Sequence, residues 1–351
     1  MHNFVEKLYV IPEIYRGRFV DIDKENNLAY EKYPFPWPSE KPYAAYALED
    51  MVCKRDESVT ALRGFLREFR VDEGSIRGKV VLDLGAGVGW DAMALAFCGA
   101  GQVYAIDNSM SSVTHGRRFA HLLGLKNVSF VRTSLYEIDQ LKVVPDMIIA
   151  KGVLHHVFDL SRLARAIYMV AKPGTELLFT HSRFSTRMGF YKYFNNHLAW
   201  MLGGADIEKR IDVGIKIFRK WTRGYSSDVI RDRTNDLAGV FYMARSIRAV
   251  RRIFLEQGFE VEVVSNETYV EHFASLAGKL ERKAEGAGER TAMRLIFSAM
   301  LWQARVCNFL SARLEILNRL LGLLVTVMFT MVPHRFRVVK IGNRERQSQC
   351  D

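Results

Sequence analysis

The sequence predicts an α/β fold, a mainly parallel sheet with helices on both faces, built first by residues 79–181. Three observations predict it. Short, nearly continuous apolar runs recur between helical stretches, as strands buried on both faces require. A glycine-rich turn, Gly85-Ala-Gly87-Val-Gly89, joins the first such run directly to a helix. The runs and helices also keep a regular spacing, so several independent units agree on one architecture.

Residues 1–42 are aromatic and proline-rich and end in Tyr33-Pro-Phe-Pro-Trp-Pro38. Three prolines in five residues forbid helix and strand ladders, so this segment is expected to be an ordered loop or extended arm. Residues 43–70 read as one or two helices, and Gly74 and Gly78 then punctuate the chain. Val80–Leu84 is the first strand, 89–98 a helix, 102–106 the second strand, and 109–123 a helix. Residues 128–131, 146–150 and 176–180 are the third, fourth and fifth strands, with a helix at 161–171 stopped by Pro173-Gly174. After Thr180 the alternation ends. Residues 184–227 read as helical and basic, 244–257 as a helix, and 259–264 as an alternating strand. Residues 293–332 read as a long helical tract, and 335–341 as the last strand.

Length and composition narrow the class. The chain has 351 residues, 49% apolar and 25% charged, ordinary values that argue against disorder, collagen-like repeats and a polytopic membrane protein. Its charge of +11 is unevenly placed: residues 1–180 carry 22 basic and 22 acidic side chains, residues 181–351 carry 28 and 17. A basic second half suits a polyanionic partner, or is a solvated surface with a high pI. The cysteines, Cys53, Cys98, Cys307 and Cys350, form no C-x-x-C pair, so neither a zinc site nor a disulfide framework is expected. The first 18 residues lack a long apolar core, so no signal peptide is expected and a cytoplasmic location fits.

The chemistry is concentrated at the glycine segment. Glycines let the backbone turn sharply and let a ligand come close. Asp107 ends the next strand, where a carboxylate can accept hydrogen bonds from both hydroxyls of a ribose; the alternative is an acid capping the following helix. Val81-Leu-Asp-Leu-Gly-Ala-Gly-Val-Gly89, Ala105-Ile-Asp107, Gly152-Val-Leu-His-His156 and Ala171-Lys-Pro-Gly174 together resemble the class I S-adenosylmethionine-dependent methyltransferases. The closest look is to the small-molecule, UbiE/UbiG-like (type 11) branch. The resemblance covers about 79–181 and resumes weakly at 228–264.

That resemblance implies a Rossmann-like seven-stranded sheet, order 3-2-1-4-5-7-6 with the seventh strand antiparallel, a helical insertion and a C-terminal helical appendage. Residues 1–74 would be an arm and helices covering the active site. Residues 75–265 would be the cofactor-binding core, with 182–245 inserted on the acceptor side. Residues 266–334 would be the appendage and 335–351 the last strand and tail. The cofactor would be S-adenosylmethionine, its product S-adenosylhomocysteine. Gly85, Ala86, Gly87 and Gly89 would pass under the methionine part, Asp83 would orient that loop, and Asp107 would hold the ribose with Asn108 nearby. Ser134 stands where the family often has an acid facing adenine, so a backbone contact at Leu135 would serve instead. Lys151 would lie beside the sulfonium.

In-line attack on a sulfonium methyl group needs mainly alignment. An oxygen or nitrogen acceptor also benefits from a base with a pKa near neutrality. His155, His156 and His181, all at the C-terminal ends of strands, are the candidates; each alternatively caps backbone or packs under the cofactor. No metal-ligand spacing is present. The expected reaction is methyl transfer to a small or lipid-like acceptor, at oxygen first, with nitrogen or carbon open. The basic half fits an anionic membrane surface through an amphipathic 206–223 helix and the apolar 316–332 segment, giving a peripheral association. The same charge also suits an RNA (tRNA) acceptor. A non-catalytic methyltransferase-like binding protein is the third reading. The oligomeric state is left open.

Overall fold

The computed structural model describes residues 22–32, 43–181, 196–204, 206–217, 230–231, 234–239, 245, 247–264 and 334–341. The chain divides into two units, one holding 1–184, 189–264 and 333–351; the other, 185–188 and 265–332, lies outside the described residues. The expectations for Tyr33–Pro38, for 218–223 and for 293–332 therefore also lie outside them. None of the described helices is long and apolar enough to cross a membrane.

Among the described residues the sheet has seven strands: β1 (Val80–Leu84), β2 (Gln102–Asp107), β3 (Val128–Arg132), β4 (Met147–Ala150), β5 (Glu176–His181), β6 (Phe259–Val264) and β7 (His334–Lys340). Their order is β3-β2-β1-β4-β5-β7-β6. β1 to β5 pair in parallel, while β7 runs antiparallel to both β5 and β6. This is the order and direction expected from the resemblance. Strand alternation divides the core. Val81, Val103, Ile149 and Leu178 face one way, and Leu82, Leu84, Ile148 and Phe179 the other.

Helices cover both faces. α1 (Ile22–Lys32) precedes α2 (Leu48–Glu68), α3 (Trp90–Phe97) and α4 (Met110–Leu122). Leu62, Met93 and Phe119 of the last three fill the first face. α5 (Leu160–Val170) and α7 (Ile247–Glu256) fill the second with Ile167 and Phe254, and α6 (Ile207–Ile217) lies between them in sequence. The β3–β4 connection is covered by 3-10 turns, Leu135–Leu141, not by an α-helix. β7 is anchored by aromatic packing. The Phe336 ring stacks on Phe179 with centroids 4.8 Å apart and planes 10° apart.

Two expectations need correction. Residues 22–32 are a helix, not a loop or arm. The prolines that forbid helix all lie at or beyond Pro34, apart from Pro12, so Ile22–Lys32 contains none. Ala29 and Asn26 of this helix are buried. The basic face of the 206–217 helix is also interrupted. Arg210 is fully buried, its guanidinium 4.0 Å from the Trp200 ring.

Candidate active site

The C-terminal ends of β1, β2 and β4 meet at a cleft. The glycine turn forms its floor. Gly85, Gly87 and Gly89 have φ of 67°, 56° and 83°, a left-handed backbone that other residues enter only with strain. Gly89 is the N-cap of α3; its N–H donates to Ala86 O at 2.9 Å, and the Ala92 N–H in the first turn donates to Asp83. A Cβ at Gly85 would overlap the Val153 side chain, and one at Gly89 would overlap the Phe130 ring.

β2 delivers Asp107 to the same place. Its carboxylate accepts the Gly87 N–H at 2.7 Å and the Ser109 N–H at 2.9 Å. Burial pushes its pKa up, against the pull of the Ser109, Gly87 and Asn108 N–H groups. Asp83 at the end of β1 is 3% exposed, and its Oδ2 has no hydrogen-bond partner among the described residues. Burial, reinforced by the Asp91 charge, pushes its pKa well above the usual carboxylate range.

The predicted cofactor residues divide between two adjoining hollows. Gly85, Gly87, Asp107, Asn108, Ser134, Leu135 and Lys151 line the main cleft. Asp83 and Ala86, again with Gly85 and Lys151, line the second. Gly89 lines neither and instead shapes the entry to α3. The second hollow carries charge of both signs. Lys151 pairs with Asp91 at 2.9 Å and Lys54 with Glu57 at 2.6 Å, beside the unsatisfied Asp83 oxygen. A group bearing both an ammonium and a carboxylate suits such a lining. The main cleft, with a carboxylate at a strand end and a half-buried Tyr136, suits a nucleoside. Together the residues fit S-adenosylmethionine.

Of the three predicted bases, His156 is the one that lines the cleft. Its backbone is fixed by a turn: its N–H donates to Val153 O at 2.8 Å, and its carbonyl accepts the Asn26 amide at 3.1 Å. His155 lies behind it at 4.1 Å between ring centroids, and buried His181 is 6.5 Å beyond His155. The three histidines thus form a row of which one end reaches the cleft.

Sequence reasoning missed the wall opposite the glycine turn. α1 supplies Asn26, Asn27 and Tyr30 to the cleft. It is tied down by Ser109 Oγ donating to Tyr30 O at 3.2 Å and by Met110 N–H donating to Glu31 at 2.6 Å. No motif marks these residues; the lack of proline between 22 and 32 is the one hint of a helix. Asp91 was also missed, although an acid in the first turn of the helix after a glycine loop is a visible signal.

Residues 76–215 match the family model of a methyltransferase domain. No protein among the curated sequences matches the chain. Among solved structures, an S-adenosylmethionine-dependent methyltransferase from Mesorhizobium loti is 20% identical, with 58% of this chain and 81% of that one covered and a TM-score of 0.37. A phosphoethanolamine N-methyltransferase from Haemonchus contortus, in complex with phosphomonomethylethanolamine and S-adenosylhomocysteine, is 15% identical. The match covers 81% of this chain and 53% of that one, at a TM-score of 0.41. Mitomycin 7-O-methyltransferase is 16% identical, with 58% and 49% covered and a TM-score of 0.38. These TM-scores are under 0.5, so the assignment stands on the domain match, the strand order and the glycine turn with Asp107. A domain of this kind would take S-adenosylmethionine and release S-adenosylhomocysteine, which the two hollows fit. Residues 76–215 are thus a methyltransferase domain, set on a Rossmann-like seven-stranded sheet.

Proposed function

We propose that the chain methylates a small or lipid-like acceptor at a hydroxyl oxygen, with His156 as general base. The observation that carries this reading is the place of His156. Its ring lines the cofactor cleft with Lys151 and Gly152, and meets Tyr30 edge-on with centroids 5.9 Å apart. Bound S-adenosylmethionine supplies an electrophilic methyl group on a sulfonium.

The chain's own residues supply the rest. The Gly85–Gly87 backbone lets the cofactor's methionine part lie close, and Asp83 with the mixed-charge hollow takes its ammonium and carboxylate. Asp107, Asn108, Ser134 and Leu135 border the nucleoside. Lys151 is neutralised by Asp91, which limits its repulsion of a sulfonium. His156 would take the hydroxyl proton while the methyl group passes from sulfur to oxygen and the thioether product leaves, a role an imidazole suits. His155 and His181 stand behind that ring and support it.

The reading is tested with S-adenosylmethionine labelled in its methyl group, incubated with the protein and, separately, an organic-solvent extract of cells, total RNA and total protein. Label is expected in the organic extract, in products that keep it through alkaline hydrolysis and release it as methyl iodide with hydriodic acid, as a methyl ether does. His156→Gln should lower the rate at saturating cofactor about 100-fold or more, in line with general-base losses, while S-adenosylhomocysteine affinity stays within about twofold. Label confined to RNA, or a fully active His156→Gln, overturns the proposal.

A further inference from the structure

Arg210 is a charge with no place in the chemistry above, yet it is completely buried in α6. Its guanidinium lies 4.0 Å from the Trp200 ring, and its Nη1 donates to Gly204 O at 2.9 Å. Its Nε and Nη2 are buried without an acceptor among the described residues. Leaving two nitrogens of a buried cation without acceptors is costly, and an apolar residue of similar size would avoid that cost. The carboxylate nearest its Nη1 is Glu25 of α1, at 3.5 Å.

Glu25 is not the sole point at which this region grips α1. Two turns later Lys32 pairs with Glu208 of α6 at 2.5 Å. Between them the Asn235 amide donates to Ala29 O at 3.2 Å, within the buried interior. Glu208 is itself held by Arg231, which also reaches Asp212 at 3.1 Å. The face of α1 that is gripped sits beside the residues it offers to the cleft: Asn26, Asn27 and Tyr30. Tyr30 in turn touches His156, and Asn26 holds the His156 carbonyl.

We propose that Arg210 is a positioning residue for the cofactor cleft: through Glu25 it fixes α1, and α1 sets the Asn26–Tyr30 wall against His156. Buried ion pairs are best attested as devices that select one arrangement over its near neighbours. Here the arrangement selected is the register of α1 over the cleft. Because the grip comes from α6, whatever shifts that helix also shifts the cofactor wall, so α6 and the cofactor site share one element. The proposal rests on reading this cleft as the cofactor's.

The test is a double-mutant cycle on S-adenosylhomocysteine affinity, measured by calorimetry on the full chain, with Arg210→Met, Glu25→Gln and the pair together. Each alone is expected to weaken binding about tenfold, and the pair about tenfold as well, because both remove one interaction. Amide exchange in 22–32 should quicken in all three while the global melting temperature moves little. Glu25 is partly exposed, so its variant remains informative if Arg210→Met folds poorly. Unchanged affinity in Glu25→Gln, or losses that multiply to about a hundredfold in the pair, overturns the proposal. Asp107→Ala is the control: if it too leaves affinity unchanged, the reading of the cleft has failed instead.

Discussion

The carboxylate of Asp107 accepts the backbone N–H of Gly87 at 2.7 Å, so the tip of β2 fastens the loop that leaves β1. Each carboxylate oxygen has further lone-pair capacity for a ligand hydroxyl. Asp107→Ala removes a loop anchor and, on the proposed reading of the cleft, a ribose acceptor as well. S-adenosylhomocysteine affinity should fall about 100-fold, the scale of two hydrogen bonds to a charged group. Asp107→Asn should fall less, since its amide oxygen still accepts. Calorimetry with both variants checks this; a change under about threefold for Asp107→Ala would remove the residue from the site.

Asp83 gives a pH-dependent prediction. Its folded pKa is raised by burial, so ionising it costs stability that the unfolded chain does not lose. The stability associated with the protonated acid is fully present below the unfolded pKa, about 4. It is lost as the pH rises towards the raised folded value. Asp83→Asn should therefore melt a few degrees higher than the parent at about pH 8 and no higher at about pH 4, while binding cofactor more weakly. Thermal scans across that range decide it. An equal shift at both pH values would refute the assignment.

Gly116 lies inside α4, where alanine ordinarily stabilises a helix by about 1 kcal/mol. A Cβ there would overlap the Phe130 ring, which is also wedged under Gly89. Gly116→Ala should instead destabilise by about 1–3 kcal/mol through overpacking. Adding Phe130→Leu should recover part of the loss. Urea unfolding of the single and double variants measures both; a stabilised Gly116→Ala would contradict the packing.

Phe336 is fully buried against Phe179. Phe336→Ala should cost about 3–5 kcal/mol, the range for deleting a core aromatic. The loss should appear as a lower urea midpoint. A loss under about 1 kcal/mol would mean that β7 is held chiefly by its ladder.

Much of the sheet was legible because its strands are apolar runs with glycines between them, and each such run has one use in an α/β fold. Val80–Leu84 and Phe259–Val264 have the bounds that their sequence predicts. The glycine turn and Asp107 were legible for the same local reason: a left-handed backbone and a strand-end acid leave marks in sequence. The Asn26–Tyr30 wall left none, since its role depends on a contact between residues 130 positions apart, Asn26 and His156. Arg210 departs from the amphipathic reading of 206–223, because spacing alone does not tell an arginine facing water from one facing Trp200. Ranking His156 above His155 and His181 likewise required knowing which end of the row meets the cleft.

The sheet order also has a consequence for synthesis. β6 stands at the sheet's edge beside β7, and β7 comes from residues 334–340, far downstream of β5. A nascent chain that has emerged only as far as Pro333 holds every strand of the cofactor cleft, yet β5 and β6 both lack the neighbour that joins them. Unpaired edges of this kind invite pairing with other chains. The ribosome must thus deliver residues 334–340, some seventy positions after β6, before the sheet can close, and a product stalled or clipped short of them would be sticky while still carrying its glycine turn.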